Sequence, residues 1–172
     1  MTHGYRTGGY GGLGDRRPGK RELAATHALL PLRIFLAVTF FYAGIDKITQ
    51  GGFFAATGSG SVGELMRGVR DSAAIPALVD LALKSPAGFG YAIALGELAV
   101  GLGVLFGLLT RIAALGGALI SLSLWLTMSW QATPYYYGND LPYLMAWLPL
   151  VLAGAPSFSL DALLADRRRR MR

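Results

Sequence analysis

The chain contains no cysteine and only two histidines, His3 and His27, which both precede its apolar segments. The absence of cysteine excludes disulfides, iron–sulfur ligation and a thiolate nucleophile. A haem held between two histidines inside the apolar segments is excluded as well. Charged residues are also scarce, at 15% of the chain against roughly 25% in a typical soluble domain. We therefore expect no metal site and no soluble globular enzyme.

Apolar residues are abundant instead, at 53% of the 172 residues, and the 24 glycines are not included in this fraction. A soluble core of this size could not bury so much apolar surface, whereas a helix crossing a bilayer needs about 20 apolar residues. Four stretches approach this length, and the sequence predicts an all-α, integral membrane four-helix bundle. The predicted spans are about 29–45, 89–109, 112–130 and 141–155.

The 16 Lys and Arg residues concentrate at the two ends of the chain, and this distribution predicts the orientation. With both termini in the cytoplasm, the positive side of the membrane carries the segment 1–28, Arg111 and the segment 156–172, which includes a basic tail at 165–172. We expect a multi-pass protein of the plasma membrane in contact with membrane lipid. The net charge of +6 is then explained by topology, not by nucleic-acid binding. The composition of residues 1–28 predicts a disordered basic tail. Residues 29–164 are predicted to form the transmembrane domain.

The external segment between the first two spans carries a helical pattern at about 61–85. Ser61 and Glu64 have the spacing of a capping box, in which each side chain bonds the other's backbone N–H. Val62, Leu65, Met66 and Val69 follow at helical spacing, and Pro76 is expected to end or kink this helix before a second short one. The pattern leaves open whether this amphipathic segment lies on the membrane surface or covers the bundle.

Ionisable residues inside an apolar span are costly and are expected to face protein or water. Glu97 interrupts the second span and is predicted to be either a proton carrier or a protonated packing contact. Arg33, Gly44 and Lys47 fall on one face of the first helix, which predicts that this face points inward. For Arg33, snorkelling to the headgroups is the simpler expectation.

The remaining features have structural and functional interpretations. Gly103 and Gly107, like Ala113 and Gly117, have a spacing typical of close helix packing. Trp130 and Tyr135–Tyr137 resemble an interfacial aromatic belt. Asp140 is expected to cap the fourth span, with a site role as the alternative.

Three segments together resemble the DoxX family of small four-helix membrane proteins. They are PLRIFLAVTFFYAGIDKI (31–48), ALGELAVGLGVLFGLLTRIAAL (94–115) and NDLPYLMAWLPLVLAGAPSFSLDALL (139–164). The resemblance rests on the arginine-to-glycine-lysine pattern, the glutamate followed by LLTR, and the closing serine-leucine-aspartate. Where the family often shows GxGxxSLD, this chain has GAPSFSLD, which keeps Ser159 and Asp161 in register.

The family includes the membrane subunit of a thiosulfate:quinone oxidoreductase, so the resemblance implies a subunit of a quinone-reducing enzyme that acts with a separate redox protein. The resemblance predicts a catalytic, proton-handling Glu97 and a quinone held by side chains drawn from Arg33, Lys47, Trp130, Tyr137 and Asp140. Two alternatives stay open. One is a non-catalytic membrane scaffold that anchors soluble redox or stress enzymes, and the other is a small transporter or channel.

Overall fold

The computed structural model describes residues 27–155 and 157–171, so the predicted disorder of the N-terminal tail lies largely outside the described residues. Within these residues the chain forms α-helices and two short 3-10 turns, with no β-strand. The turns are Arg70–Ser72 and Tyr135–Tyr137. The helices are α1 Leu30–Thr49, α2 Val62–Val69, α3 Pro76–Leu83, α4 Pro86–Phe106, α5 Thr110–Thr127, α6 Asp140–Ala153 and α7 Leu160–Arg170.

The long helices pack in chain order, α1 against α4, α4 against α5, and α5 against α6. Aromatic rings bring α6 back to α1, since Phe40 lies 4.8 Å from Trp147 and 6.0 Å from Tyr143 between ring centroids. One core results, to which all four helices contribute. Its buried members are Leu36, Ala37, Phe40, Val100, Val104, Ala114, Ala118, Trp147 and Leu150.

Glycines allow two of these contacts to be very close. A Cβ on Gly101 would lie 2.7 Å from the backbone nitrogen of Phe41, and one on Gly44 would lie 2.8 Å from the carbonyl oxygen of Ala94. Gly117 likewise has no side chain, and the Trp147 ring packs directly against it. The closest α1–α4 contact therefore uses Gly44 and Gly101. Of the expected pair, Gly103 packs against Ala113 of α5, whereas Gly107 packs against Ser159 and not against another of the long helices.

Gly107 instead ends α4 with a φ of +65°. The N–H of Leu108 bonds the carbonyl of Gly103 and the N–H of Gly107 bonds that of Val104, which is the Schellman arrangement. The predicted second span ran on to 109 because Leu108 and Leu109 are as apolar as the helix before them. The structure breaks the run at the glycine and starts α5 at Thr110.

α2 and α3 form a small second core over the end of the molecule where α1 finishes, which we call the Lys47 end; the opposite end is the Arg33 end. Val62, Met66, Val79 and Ala82 are buried there. Only half of the expected capping box is present, since the Ser61 hydroxyl accepts the N–H of Glu64 whereas the Ser61 N–H bonds Gly58. Pro76 begins α3 and does not end α2, because the first turn of a helix needs no N–H from that residue.

α4 and α5 are long and apolar enough to cross a membrane, and only 33% and 28% of their most apolar stretches are buried. A core helix of a soluble protein would be mostly buried, so these two helices present apolar side chains outward. α1 has sufficient length but carries Arg33, Asp46 and Lys47, and α6 has 14 residues.

Candidate functional site

An ion pair joins α1 and α4 near the Lys47 end. The Lys47 ammonium donates to both carboxylate oxygens of Glu97, at 2.9 and 2.8 Å. Glu97 is 3% exposed, whereas the Lys47 side chain is 22% exposed. Because Gly44 has no side chain, α1 lies close to α4 at this point, and the Lys47 side chain can reach Glu97 on α4. The cation that a buried carboxylate requires is therefore supplied by Lys47.

Asp140, the first residue of α6, adds a second carboxylate to this region. The hydroxyl of Ser129 donates to its Oδ2 atom. Asp140 is partly buried and lies close enough to interact electrostatically with both Lys47 and Glu97. Its side chain does not cap α6, whose N-cap position is Asn139 without a side-chain hydrogen bond. Three groups that the sequence placed in separate segments thus form one polar cluster.

A cavity of about 370 Å³ lies beside the cluster, between the α2–α3 pair and the ends of α4 and α5. Its size falls within the range of small-molecule sites. The walls are apolar apart from the Lys47 ammonium and three hydroxyls. The lining residues are Lys47, Phe53, Val62, Leu65, Met66, Leu78, Val79, Leu81, Ala82, Ser85, Phe89, Ile93, Ser123, Leu124, Thr127 and Met128.

Sequence analysis had not identified most of this lining. The stripe of Val62 and Met66 was visible, but its partners on α5, Ser123 and Thr127, belong to a span that reads as uniformly apolar. Their hydroxyls also donate to carbonyls of their own helix, at Ile120 and Ser123. The signal that could have found them is the interruption of an apolar run by hydroxyl residues one helical turn apart.

Arg33 does not belong to this site. It is 5% exposed and lies at the Arg33 end, where its guanidinium donates to the carbonyl oxygens of Ser157, Phe158 and Leu105 at 2.7, 2.6 and 3.1 Å. It therefore turns into the protein and does not snorkel outward. Leu105 lies in the last turn of α4, so the cation also faces the negative end of that helix dipole.

Trp130 and Tyr137 also lie apart from the cavity. Trp130 is 47% exposed with its ring 5.2 Å from that of Trp125, and Tyr137 is 71% exposed against Tyr136. Of the predicted site residues, the structure brings Glu97, Lys47 and Asp140 together and leaves Arg33, Trp130 and Tyr137 elsewhere.

Asp161, which the sequence offered only as part of the closing serine-leucine-aspartate motif, contacts the start of α5. Its carboxylate accepts the N–H groups of Leu109 and Thr110 at 2.8 and 2.9 Å and the Thr110 hydroxyl at 3.1 Å. Partial burial alone would raise the pKa of Asp161, but these hydrogen bonds outweigh it and hold that pKa below its usual value. The residue caps the start of α5 from a distant part of the chain.

The described residues hold no group of three or more His, Cys, Asp and Glu side chains that could bind a metal ion. What the site offers is an apolar cavity, one cation and two carboxylates. This set suits a lipid-soluble ligand with polar atoms at one end, and proton transfer at that end.

Comparison with known proteins agrees with the fold. The family model described as DoxX matches residues 28–130, which is more than half of the chain and includes both Lys47 and Glu97. Asp140 and Asp161 lie beyond the matched part. No curated protein and no solved structure matches the chain. The outward-facing apolar helices α4 and α5 fit a protein of the membrane. The chain is a helical membrane protein and belongs to the DoxX family.

Proposed function

We propose that this protein is the membrane subunit of a quinone-linked oxidoreductase, of the thiosulfate:quinone type found in its family, and that it works with a separate redox protein. One observation carries the proposal, namely the Lys47–Glu97 ion pair at the wall of an apolar cavity. An isoprenoid or similar apolar chain suits the walls. The carbonyl oxygen of a quinone head suits the ammonium of Lys47 as hydrogen-bond acceptor.

The chain's own residues would manage protons. Reduction of a quinone to a quinol consumes two electrons and two protons. Glu97 lies within contact of Lys47, which lines the cavity, and Asp140 lies close enough to act as the next carboxylate. On reduction, the Lys47 ammonium would give a proton to the ligand oxygen, and Lys47 would regain a proton by way of Glu97 and Asp140.

The electrons would come from the partner. The chain has no cysteine, and its described residues offer no metal cluster, so we assign the oxidation of a sulfur donor such as thiosulfate to the separate redox protein. The subunit's role is to hold the quinone, exclude water and supply protons. This division of labour also fits a chain that is not catalytic by itself.

The proposal includes a topology of four spans, formed by α1, α4, α5 and α6, in the plasma membrane with both termini cytoplasmic. Its support is the exposure of apolar side chains on all four helices together with the concentration of Lys and Arg at the chain ends. In that orientation the cavity opens near the external surface.

Two variants test the function. Glu97→Gln should keep bound quinone but lower thiosulfate-dependent quinol formation in membranes by about 100-fold or more, because proton transfer is lost. Ala82→Phe should fill the cavity and remove the bound quinone while leaving the ion pair intact. Bound quinone is measured by mass spectrometry of protein purified in mild detergent, and quinol by its absorbance in membranes.

Glu64→Gln is the matched control for the first variant, because Glu64 is exposed on α2, away from the polar cluster. It should turn over like the natural protein. The proposal fails if the natural protein carries no quinone above the level of the surrounding lipid. The proton role fails if Glu97→Gln forms quinol at the normal rate.

A further inference from the structure

We propose that the Arg33 end of the molecule carries a docking surface for anionic phospholipid, formed by α7 and the turn between α4 and α5. We call it the α7 surface. Its apolar members are Leu109, Phe158, Leu163 and Leu164, and its basic members are Arg167 and Arg170. The inference is independent of the proposed quinone function.

The position of α7 is fixed by its first turn. The Asp161 carboxylate holds the start of α5, and the Asp161 N–H donates to the carbonyl oxygen of Gly107 at 3.0 Å. Gly107 follows the end of α4. α7 thus begins where α4 ends and α5 begins. Because both helices are suited to crossing a membrane, this place lies at the level of a membrane surface.

The apolar members are exposed although their side chains are large. Phe158 is 74% exposed, Leu163 66% and Leu109 59%. Leu109 and Phe158 also have positive φ values, of 49° and 46°. Within the part of the chain that the structure describes, no other non-glycine residue has one. Bulky residues rarely adopt this conformation, because it costs backbone energy. Two such residues at one end, both pointing outward, fit insertion into the boundary between headgroups and acyl chains.

The charge of α7 complements an anionic surface. Arg167 and Arg170 are exposed and belong to a run of four arginines, and Asp166 is the acidic residue beside that run. At helical spacing Leu160, Leu163, Leu164 and Arg167 fall within one side of the helix. A face that joins leucines to arginines is typical of helices that lie in a membrane interface. An acidic protein segment would pair with the arginines but would leave the leucines and Phe158 in water.

The test uses the full chain, which has no native cysteine and therefore accepts a single fluorescent label at Leu163→Cys. The purified protein is placed in nanodiscs of phosphatidylcholine alone or of phosphatidylcholine with phosphatidylglycerol. In the anionic discs we expect a blue-shifted emission and several-fold slower quenching by an aqueous quencher, with partial reversal at high salt. Thr57→Cys, in an exposed loop at the Lys47 end, should show no lipid dependence.

Charge variants complete the design. Each arginine near an anionic surface strengthens association by roughly fivefold, so Arg167→Gln with Arg170→Gln should weaken docking by roughly 25-fold and abolish the difference between the lipids. Arg167→Lys with Arg170→Lys keeps the charge and should retain the difference in docking between the two lipids. Equal quenching of the Leu163 label in the two lipids would overturn the proposal. The discs contain no other protein. If the label is accessible to the quencher in both lipid compositions, the α7 surface is instead a candidate site for a protein partner.

Discussion

At the scale of single residues, Arg33 and Asp161 reach the same turn from distant parts of the chain. Arg33 bonds Leu105 at the end of α4, and Asp161 bonds the first N–H groups of α5. Each charge has the sign that stabilises its helix end, because a helix dipole is negative at its C-terminus and positive at its N-terminus. This pairing gives a structural reason for an arginine early in the chain and an aspartate late in it.

The cap predicts a pH dependence. The pKa of Asp161 is lowered in the folded protein, so its contribution is full above the unfolded value of about 3.9 and is lost as pH falls through the folded pKa. Asp161→Asn should lower the free energy of unfolding by about 1 kcal/mol at pH 7. The difference should shrink below about pH 4.

The measurement is thermal unfolding in mild detergent at several pH values. Asp71→Asn is the control, because the side chain of Asp71 is 93% exposed and caps no helix. A stability loss at Asp161→Asn that stays constant down to pH 3 would show that the carboxylate charge plays no part.

The sequence predicted part of the residue-level arrangement. The inward face of α1 is confirmed, since Arg33 and Gly44 are buried and Lys47 is largely covered. The Lys47–Glu97 contact was not predicted. The first span was expected to end at 45, which left Lys47 outside the helix, whereas α1 continues to Thr49 and directs the side chain towards α4. Periodicity gives the face of a residue but not the relative depth of two helices.

At the scale of elements, the α1–α4 contact depends on the missing side chain of Gly101. A Cβ there would meet backbone atoms, the nitrogen of Phe41 at 2.7 Å and the carbonyl oxygen of Ala37 at 2.9 Å. Backbone cannot yield as a side chain can. Gly101→Ala should therefore separate the helices and lower the free energy of unfolding by about 1–3 kcal/mol.

Gly96→Ala, on the same helix, is the matched control for Gly101→Ala. Its Cβ would meet only the flexible end of Ile120, at 3.2 Å. Because alanine is the better helix former, this variant should be neutral or stabilise by up to about 1 kcal/mol. Denaturant titration in mixed micelles compares the two variants. Equal effects at both positions would show that the close approach is not what the glycine provides.

The existence of the helices was predicted better than their ends. The apolar runs that became α4, α5 and α6 were all recognised, but each boundary moved by a few residues. The reason is visible at Gly107, where a left-handed turn interrupts a run that remains apolar through Leu109. Pro76 was assigned to the wrong side of its turn for a related reason, since a proline fits the first turn of a helix as well as the end of the previous one.

At the scale of the whole molecule, α6 is the shortest of the four proposed spans, and the side of the membrane that the C-terminus faces depends on it. α4 and α5 have the length and composition to cross a bilayer. α6, with 14 residues, is about 21 Å long, whereas the hydrocarbon core is about 30 Å thick. Trp147 and Leu150 nevertheless place α6 firmly in the common core. We expect it to span, with the non-helical residues next to it completing the crossing against protein.

Labelling with a membrane-impermeant maleimide tests this topology in intact cells, because the chain has no native cysteine. Thr57→Cys and Gln131→Cys are separated by α4 and α5, so both should react from outside. Arg170→Cys lies beyond α6 and should react only after the cells are permeabilised. Labelling of Thr57→Cys without Gln131→Cys would contradict the paired crossing of α4 and α5. If all three positions react in intact cells, α6 does not cross, and the cavity beside Lys47 belongs to a three-span protein whose C-terminal arginines face outward.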